Sequence, residues 1–109
     1  MALNLQDILP TVIGAAQREA GQTWPQIRTL AETSLRDLSQ AIVEAGEGVI
    51  SGEATADEAR VIVEEALRAA TGVLAAAVVG GQAAAQRIVN AAIAAVRQAV
   101  NAAIGIPLL

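Results

Sequence analysis

A long stretch of the chain, residues 55–104, contains no proline and eighteen alanines, and its last acidic residue is Glu65. Alanine has the highest intrinsic helix propensity, and without proline nothing interrupts the helical hydrogen bonds. Small side chains also let helix backbones approach each other closely. The sequence therefore predicts an all-α protein whose C-terminal half is a long, alanine-rich helical surface that packs against other helices.

The apolar residues available for a core are almost all Ala, Val, Ile and Leu. The 109 residues include no Phe or Tyr, one Trp and one Met. Each buried methylene contributes only about 0.8 kcal/mol, and a monomer of this length buries roughly two-thirds of the surface that its unfolded chain exposes. We therefore expect one domain over residues 1–109, a small helical bundle that self-association into a homo-oligomer completes.

The charges are distributed unevenly between the two halves of the chain. Residues 1–65 hold all eleven Asp and Glu together with four Arg, a net charge of −7, whereas residues 66–109 hold three Arg, a net charge of +3. Opposite charges favour packing of the halves on each other, within one chain or between chains. Three scattered arginines make a poor phosphate-binding surface, so no nucleic-acid partner is expected.

Two helices are predicted in the N-terminal half. The first has Asp7 as its expected N-cap, which places Pro10 in the first turn, where no intrahelical bond is lost. Thr23 and Gln26 have the spacing of a capping box, which predicts that the second helix begins at Trp24. The N-terminus also lacks the basic start and continuous apolar core of a signal peptide, so a cytoplasmic location is expected.

The second helix has a coiled-coil-like apolar seam with spacings of three and four residues. Its Arg and Glu residues fall elsewhere on the helical wheel, and Gly52 is its expected end. The residues predicted to point inward are Trp24, Ile27, Ala31, Leu35, Leu38, Ile42, Ala45 and Val49.

A second capping box, Thr55 with Glu58, predicts that a third helix begins at residue 56. Residues 72–81 are apolar around the whole helical circumference, which indicates burial on all sides or contact with lipid. The residues expected to face inward on this helix are Ile62, Ala66, Ala69 and Val73.

Gly80 and Gly81 leave two architectures open. A turn there gives helices at about residues 56–79 and 82–104, which would complete an antiparallel bundle. Without a turn, one helix of about 49 residues extends roughly 73 Å and needs partners to cover its apolar face. Residues 80–82 are Gly, Gly and Gln, and none of them is Ser, Thr, Asp or Asn, the residues that most often cap the start of a helix. The sequence therefore favours the continuous helix.

Small residues recur every fourth position along that predicted helix, at Gly72, Ala76, Gly80 and Ala84. Such a stripe allows close crossing of two helices. Together with the second-helix seam it defines a predicted helix-packing interface. Its residues are Trp24, Leu35, Leu38, Ile42, Gly72, Ala76, Gly80 and Ala84.

The chain lacks His, Cys, Lys and Tyr. It therefore cannot form a Ser-His or Cys-His dyad, a Schiff-base lysine or a zinc site with nitrogen and sulfur ligands. Glu44 with Glu47, or Glu64 with Glu65, could hold a hard metal ion, but solvated acidic faces are the favoured interpretation. We expect a protein that is not an enzyme and that has no cofactor and no metal.

These observations predict a structural or assembly module that acts through helix packing with itself or with another helical protein. The alternative is a membrane-associated oligomer that uses residues 69–86. That segment has eighteen uncharged residues, near the lower limit of about 17 for a membrane crossing. Eight of the eighteen are alanine, which weakens its insertion.

Overall fold

Four α-helices make up most of the molecule. The structure is a computed structural model and describes residues 3–109. The helices are α1 (Leu5–Ala20), α2 (Trp24–Ser51), α3 (Ala56–Ala75) and α4 (Gly81–Ile104), with a 3-10 turn at Gly21–Thr23 between α1 and α2. Residues 3–109 contain no strand. The predicted all-α helical bundle is confirmed.

The helices pack in a ring in which each contacts its neighbours along the chain, and α1 closes the ring against α4. Short connections make neighbouring helices antiparallel, as in up-and-down bundles. The molecule measures 41 × 22 × 18 Å and has a radius of gyration of 13.5 Å, close to the value of about 13 Å for a compact domain of this length. One chain therefore covers the main apolar face of each helix by itself.

The predicted continuous C-terminal helix is wrong, because the chain turns between α3 and α4. The Leu74 carbonyl accepts two backbone hydrogen bonds that close this turn. Gly80 and Gly81 have φ angles of 98° and 59°, which glycine adopts without the cost other residues incur. Gly80 precedes α4 without a side-chain cap. A missing cap costs only about 1 kcal/mol, and the apolar face that α4 buries in the bundle outweighs it.

Helix α1 begins earlier than expected. The Asn4 side-chain carbonyl accepts a hydrogen bond of 2.8 Å from the Gln6 backbone N–H, so Asn4 is the N-cap. The prediction of Asp7 as the N-cap was wrong. Pro10 consequently lies within the helix rather than in its first turn. Asn4 is as good a capping residue as Asp7, and its earlier position lets the helix gain another turn.

The two predicted capping boxes have different outcomes. Helix α2 begins at Trp24 as predicted. The Thr23 hydroxyl donates to the Ala20 carbonyl at 2.8 Å and makes no cap bond to α2, so the first predicted capping box itself was wrong. The second box is confirmed, because Thr55 Oγ1 accepts from the Glu58 N–H at 3.1 Å and Glu58 Oε1 accepts from the Thr55 N–H at 3.0 Å. Hydrogen bonds from the Thr55 backbone and side chain lower the pKa of Glu58 below its ordinary 4.5.

The apolar seam of the second helix, here called the α2 seam, forms the centre of the core. Seven of its eight predicted residues are buried, and Val49 is half-buried at its end. Near that end α2 also approaches the last turn of α4. A Cβ atom on Gly46 would lie 2.6 Å from Ile104 Cδ1, so a larger residue there would require the Ile104 side chain to shift. The inward prediction for the α2 seam is confirmed.

Candidate helix-packing surface

The face that α3 turns toward the core differs from the predicted one. Ile62 and Val73, expected inside, are 45% and 42% exposed, so that prediction was wrong. The buried residues of α3 are Ala59, Val63, Ala70, Thr71 and Leu74. Apolar residues occur on two adjacent faces of α3, and a helical wheel alone does not show which face fits the neighbouring helices.

The residues that the fold leaves at the edge of α3 form one surface. We call Ile62, Ala66, Ala69 and Val73 the α3 edge stripe. Their spacings of four, three and four residues place them in one row along the helix. The two alanines at the centre are half-buried or exposed, and the larger residues stand at the two ends. The stripe is therefore a ridge that is low in the middle and higher at both ends.

A shallow groove separates this stripe from α2. Leu30 of α2, one helical turn before Ser34, is 40% exposed. The groove has a volume of about 120 Å³ and is lined by Ser34, Asp37, Leu38, Ala66, Ala69, Ala70 and Val73. We call it the α2–α3 groove. With one carboxylate among mainly apolar side chains, this surface is suited to pack against an apolar helix.

The predicted helix-packing residues are divided between the core and the surface. Trp24, Leu35, Leu38 and Ile42 are buried within the single chain. Gly72 is exposed on α3, Ala76 is the exposed C-cap of α3, Gly80 is the exposed residue before α4, and Ala84 is buried on α4. The four-position stripe predicted on one continuous helix does not exist, because the turn at Gly80 and Gly81 divides it.

The groove between α3 and α4 is partly filled by the C-terminal residues of the chain. Arg60 Nε donates to the Pro107 carbonyl at 3.3 Å, and the Leu109 N–H donates to Asn101 Oδ1 at 2.9 Å. The Leu108 side chain is 4% exposed. The polar groups named here already have partners within the chain.

A further groove of about 390 Å³ lies between α1 and α2. It is lined by Ile13, Thr29, Glu32, Thr33 and Arg36. Glu32 already forms an ion pair with Arg28 at 3.2 Å. In residues 3–109 no three His, Cys, Asp or Glu side chains are grouped closely enough to hold a metal ion.

Residues 69–86, the segment considered for a membrane, are divided among α3, the turn and α4. Among the helices of residues 3–109, none combines the length and the apolar content that a membrane crossing requires. The chain matches no protein-family model, no curated protein and no solved structure.

Proposed function

We propose that this protein is a small structural or assembly module whose activity is helix packing, first with further copies of itself and also with a helical partner protein. The observation that carries the proposal is the α3 edge stripe. Ile62 and Val73 are each more than 40% exposed on a face where no helix of the chain covers them. Apolar patches of this kind mark interaction sites more often than isolated exposed residues do.

The composition of the bundle supports the same proposal. The core consists of short aliphatic side chains, with Trp24 as its single aromatic residue. Alanine-rich helices can pack closely with those of a neighbouring molecule, as in coiled-coil assemblies. The chain has no His, Cys, Lys or Tyr with which to build the common catalytic sites. The proposal therefore includes a non-enzymatic, alanine-rich assembly protein of the cytoplasm without a nucleic-acid partner.

Light scattering coupled to size-exclusion chromatography tests this proposal. The expected result is a mass that rises with protein concentration from the chain mass of 11.0 kDa to that of two or more chains. Measurement over a broad range, from low to high micromolar, covers the dissociation constants expected for a small interface. A single species of 11.0 kDa at every concentration would contradict self-association.

A further inference from the structure

Residues 105–109, here called the tail segment, fold back from the end of α4 onto the groove between α3 and α4. Helix α4 is followed by Gly105, which has a φ angle of 86°. Pro107 prevents further helix, because its ring fixes φ and it has no backbone N–H. The Leu108 N–H donates to the Ile106 carbonyl at 2.9 Å, which closes a short turn around Pro107. The tail segment therefore takes its bent shape largely from its own residues.

Side chains of both neighbouring helices hold the backbone of the tail segment. On α3, Arg60 Nε donates to the Pro107 carbonyl at 3.3 Å. On α4, Asn101 Oδ1 accepts from the Leu109 N–H at 2.9 Å. Between these two hydrogen bonds, the Leu108 side chain is buried among core residues. Short peptides are recognised in this way when bonds to their backbone give affinity and a pocket for a side chain gives specificity.

The tail segment leaves part of this groove, here called the α3–α4 groove, open. The open part has a volume of about 330 Å³, and its apolar lining includes Val63, Leu67 and Ile93 beside Leu108. Pockets that bind small ligands have volumes of about 300 Å³ or more. A ligand larger than the tail segment therefore finds further apolar surface in the same groove.

Few interactions connect the tail segment to the bundle. They are the two hydrogen bonds, one buried leucine and the partly buried Ile106 and Leu109. Gly105 can act as the hinge, because glycine takes either sign of φ. A tethered segment has an effective concentration in roughly the millimolar range. A separate peptide must compete with it, so the apparent affinity of that peptide falls with the fraction of molecules whose groove is vacant.

We propose that the α3–α4 groove binds a short aliphatic peptide segment of a partner protein, and that the tail segment occupies it as an intramolecular ligand. The tail segment shows the chemistry that the partner needs. It has a proline whose carbonyl accepts from Arg60, then a leucine that enters the groove, then a backbone N–H that donates to Asn101. The groove shares no residue with the α3 edge stripe, so this site is separate from self-association.

Displacement of the tail segment in the full-length wild type tests the proposal. The probe is a synthetic peptide of residues 105–109 with both ends blocked, added to the isotopically labelled protein up to about 5 mM, to match the effective concentration of a tethered segment. The NMR signal of the Leu109 amide should move toward that of an unstructured chain, because its N–H leaves Asn101. The same peptide carrying Leu108→Ser is the control and should leave the signal in place.

Binding to variants of the chain gives a second measurement. Fluorescence anisotropy of the labelled probe should show about tenfold tighter binding to Leu108→Ser than to the wild type, because the tail segment of the variant competes less well. Adding Arg60→Gln should weaken this binding about threefold, since the probe loses a hydrogen bond. Arg68→Gln, at an exposed position of α3 outside the groove, is the matched control and should leave binding unchanged. Circular dichroism establishes that the helices of each variant are intact.

A Leu109 signal that does not move at the highest probe concentration would overturn the proposal, and this measurement needs no variant to fold. Equal binding of the probe and of its serine control would overturn it too, because the groove would then not select the leucine. A Leu109 signal that moves with protein concentration alone would make a second copy the occupant and would contradict the intramolecular ligand. The mass of the wild-type protein tests the proposed function independently of these results.

Discussion

The α2 seam and the α3 edge stripe are both rows of aliphatic residues at helical spacing, yet the fold uses them differently. Leu35, Leu38 and Ile42 of the α2 seam are at most 1% exposed, whereas Ile62 and Val73 of the stripe are more than 40% exposed. Each helix of a four-helix ring needs one inward face. Helix α3 has an inward face and a second apolar row beside it. Of that row, Ala66 packs against the core of the chain, while Ile62 and Val73 lie largely at the surface.

The largest expected difference between these two regions is in stability. Leu38→Ala should destabilise the fold by about 2–4 kcal/mol, because it leaves a cavity in a close-packed core. Ile62→Ala should change the free energy of unfolding by about 0.5 kcal/mol or less, since the residue is at the surface. Chemical denaturation at low protein concentration, where association contributes little, measures both. Equal losses would show that the stripe belongs to the core.

The end of α3 gives a second contrast, between two exposed glycines. Gly80→Ala should destabilise the fold by about 1–2 kcal/mol. The reason is that Gly80 has a φ angle of 98° and a new Cβ would lie 3.1 Å from the Ala84 Cβ. Gly72→Ala should instead stabilise it by up to about 1 kcal/mol, because its new methyl group meets no atom within 4 Å. Thermal unfolding of the two variants distinguishes a turn from a continuous helix. Stabilisation by Gly80→Ala would mean that α3 and α4 are continuous.

The sequence predicted α2 better than α3, and the composition of the helices explains why. The α2 seam alternates with Arg and Glu on the remaining faces, so the wheel has one apolar side. Residues 69–86 carry no charge. Without charged residues to mark the solvent side, the order of apolar residues there predicts neither which face of α3 points inward nor where the helix ends. The turn depends on the positive φ angles of Gly80 and Gly81 and on the packing of α4 in the bundle. Neither of these requires an N-capping residue in the sequence, and none is present before α4. The four residues of the α3 edge stripe were predicted to face inward, because the exposure of Ile62 and Val73 follows only from the tertiary fold.

The α2 helix also contains one unfavourable buried group. Ser39 is 0% exposed, and its hydroxyl has no hydrogen-bond partner within residues 3–109. Ser39→Ala should stabilise the protein by about 1 kcal/mol, because it removes an unpaired polar atom and adds helix propensity. Ser34→Ala is the control, since Ser34 lines the α2–α3 groove and should gain only the smaller propensity term. Unfolding midpoints measure both, and a loss of stability in Ser39→Ala would indicate a partner for the hydroxyl.

The smallest effect concerns the start of α3. The pKa of Glu58 is below 4.5 in the folded chain because Thr55 hydrogen-bonds its carboxylate. A lowered folded pKa means that this contribution to stability is present above pH 4.5 and is lost as the pH falls through the folded pKa. NMR titration of the Glu58 side chain should show the lowered pKa in the wild type and a smaller lowering in Thr55→Ala, because alanine removes the hydroxyl but keeps the backbone N–H that donates to the carboxylate. A wild-type pKa of Glu58 that is not lowered would contradict the capping box.

The most direct test compares the wild type with an Ile62→Ser, Val73→Ser double variant by sedimentation equilibrium. It asks whether the α3 edge stripe is needed for association but not for folding of the single chain. We expect the wild-type mass to rise with concentration toward twice 11.0 kDa, while the variant stays at the mass of one chain with an unchanged helical circular dichroism spectrum. A variant that associates as tightly as the wild type, or one that loses its helices, would contradict the division between the α2 seam and the α3 edge stripe.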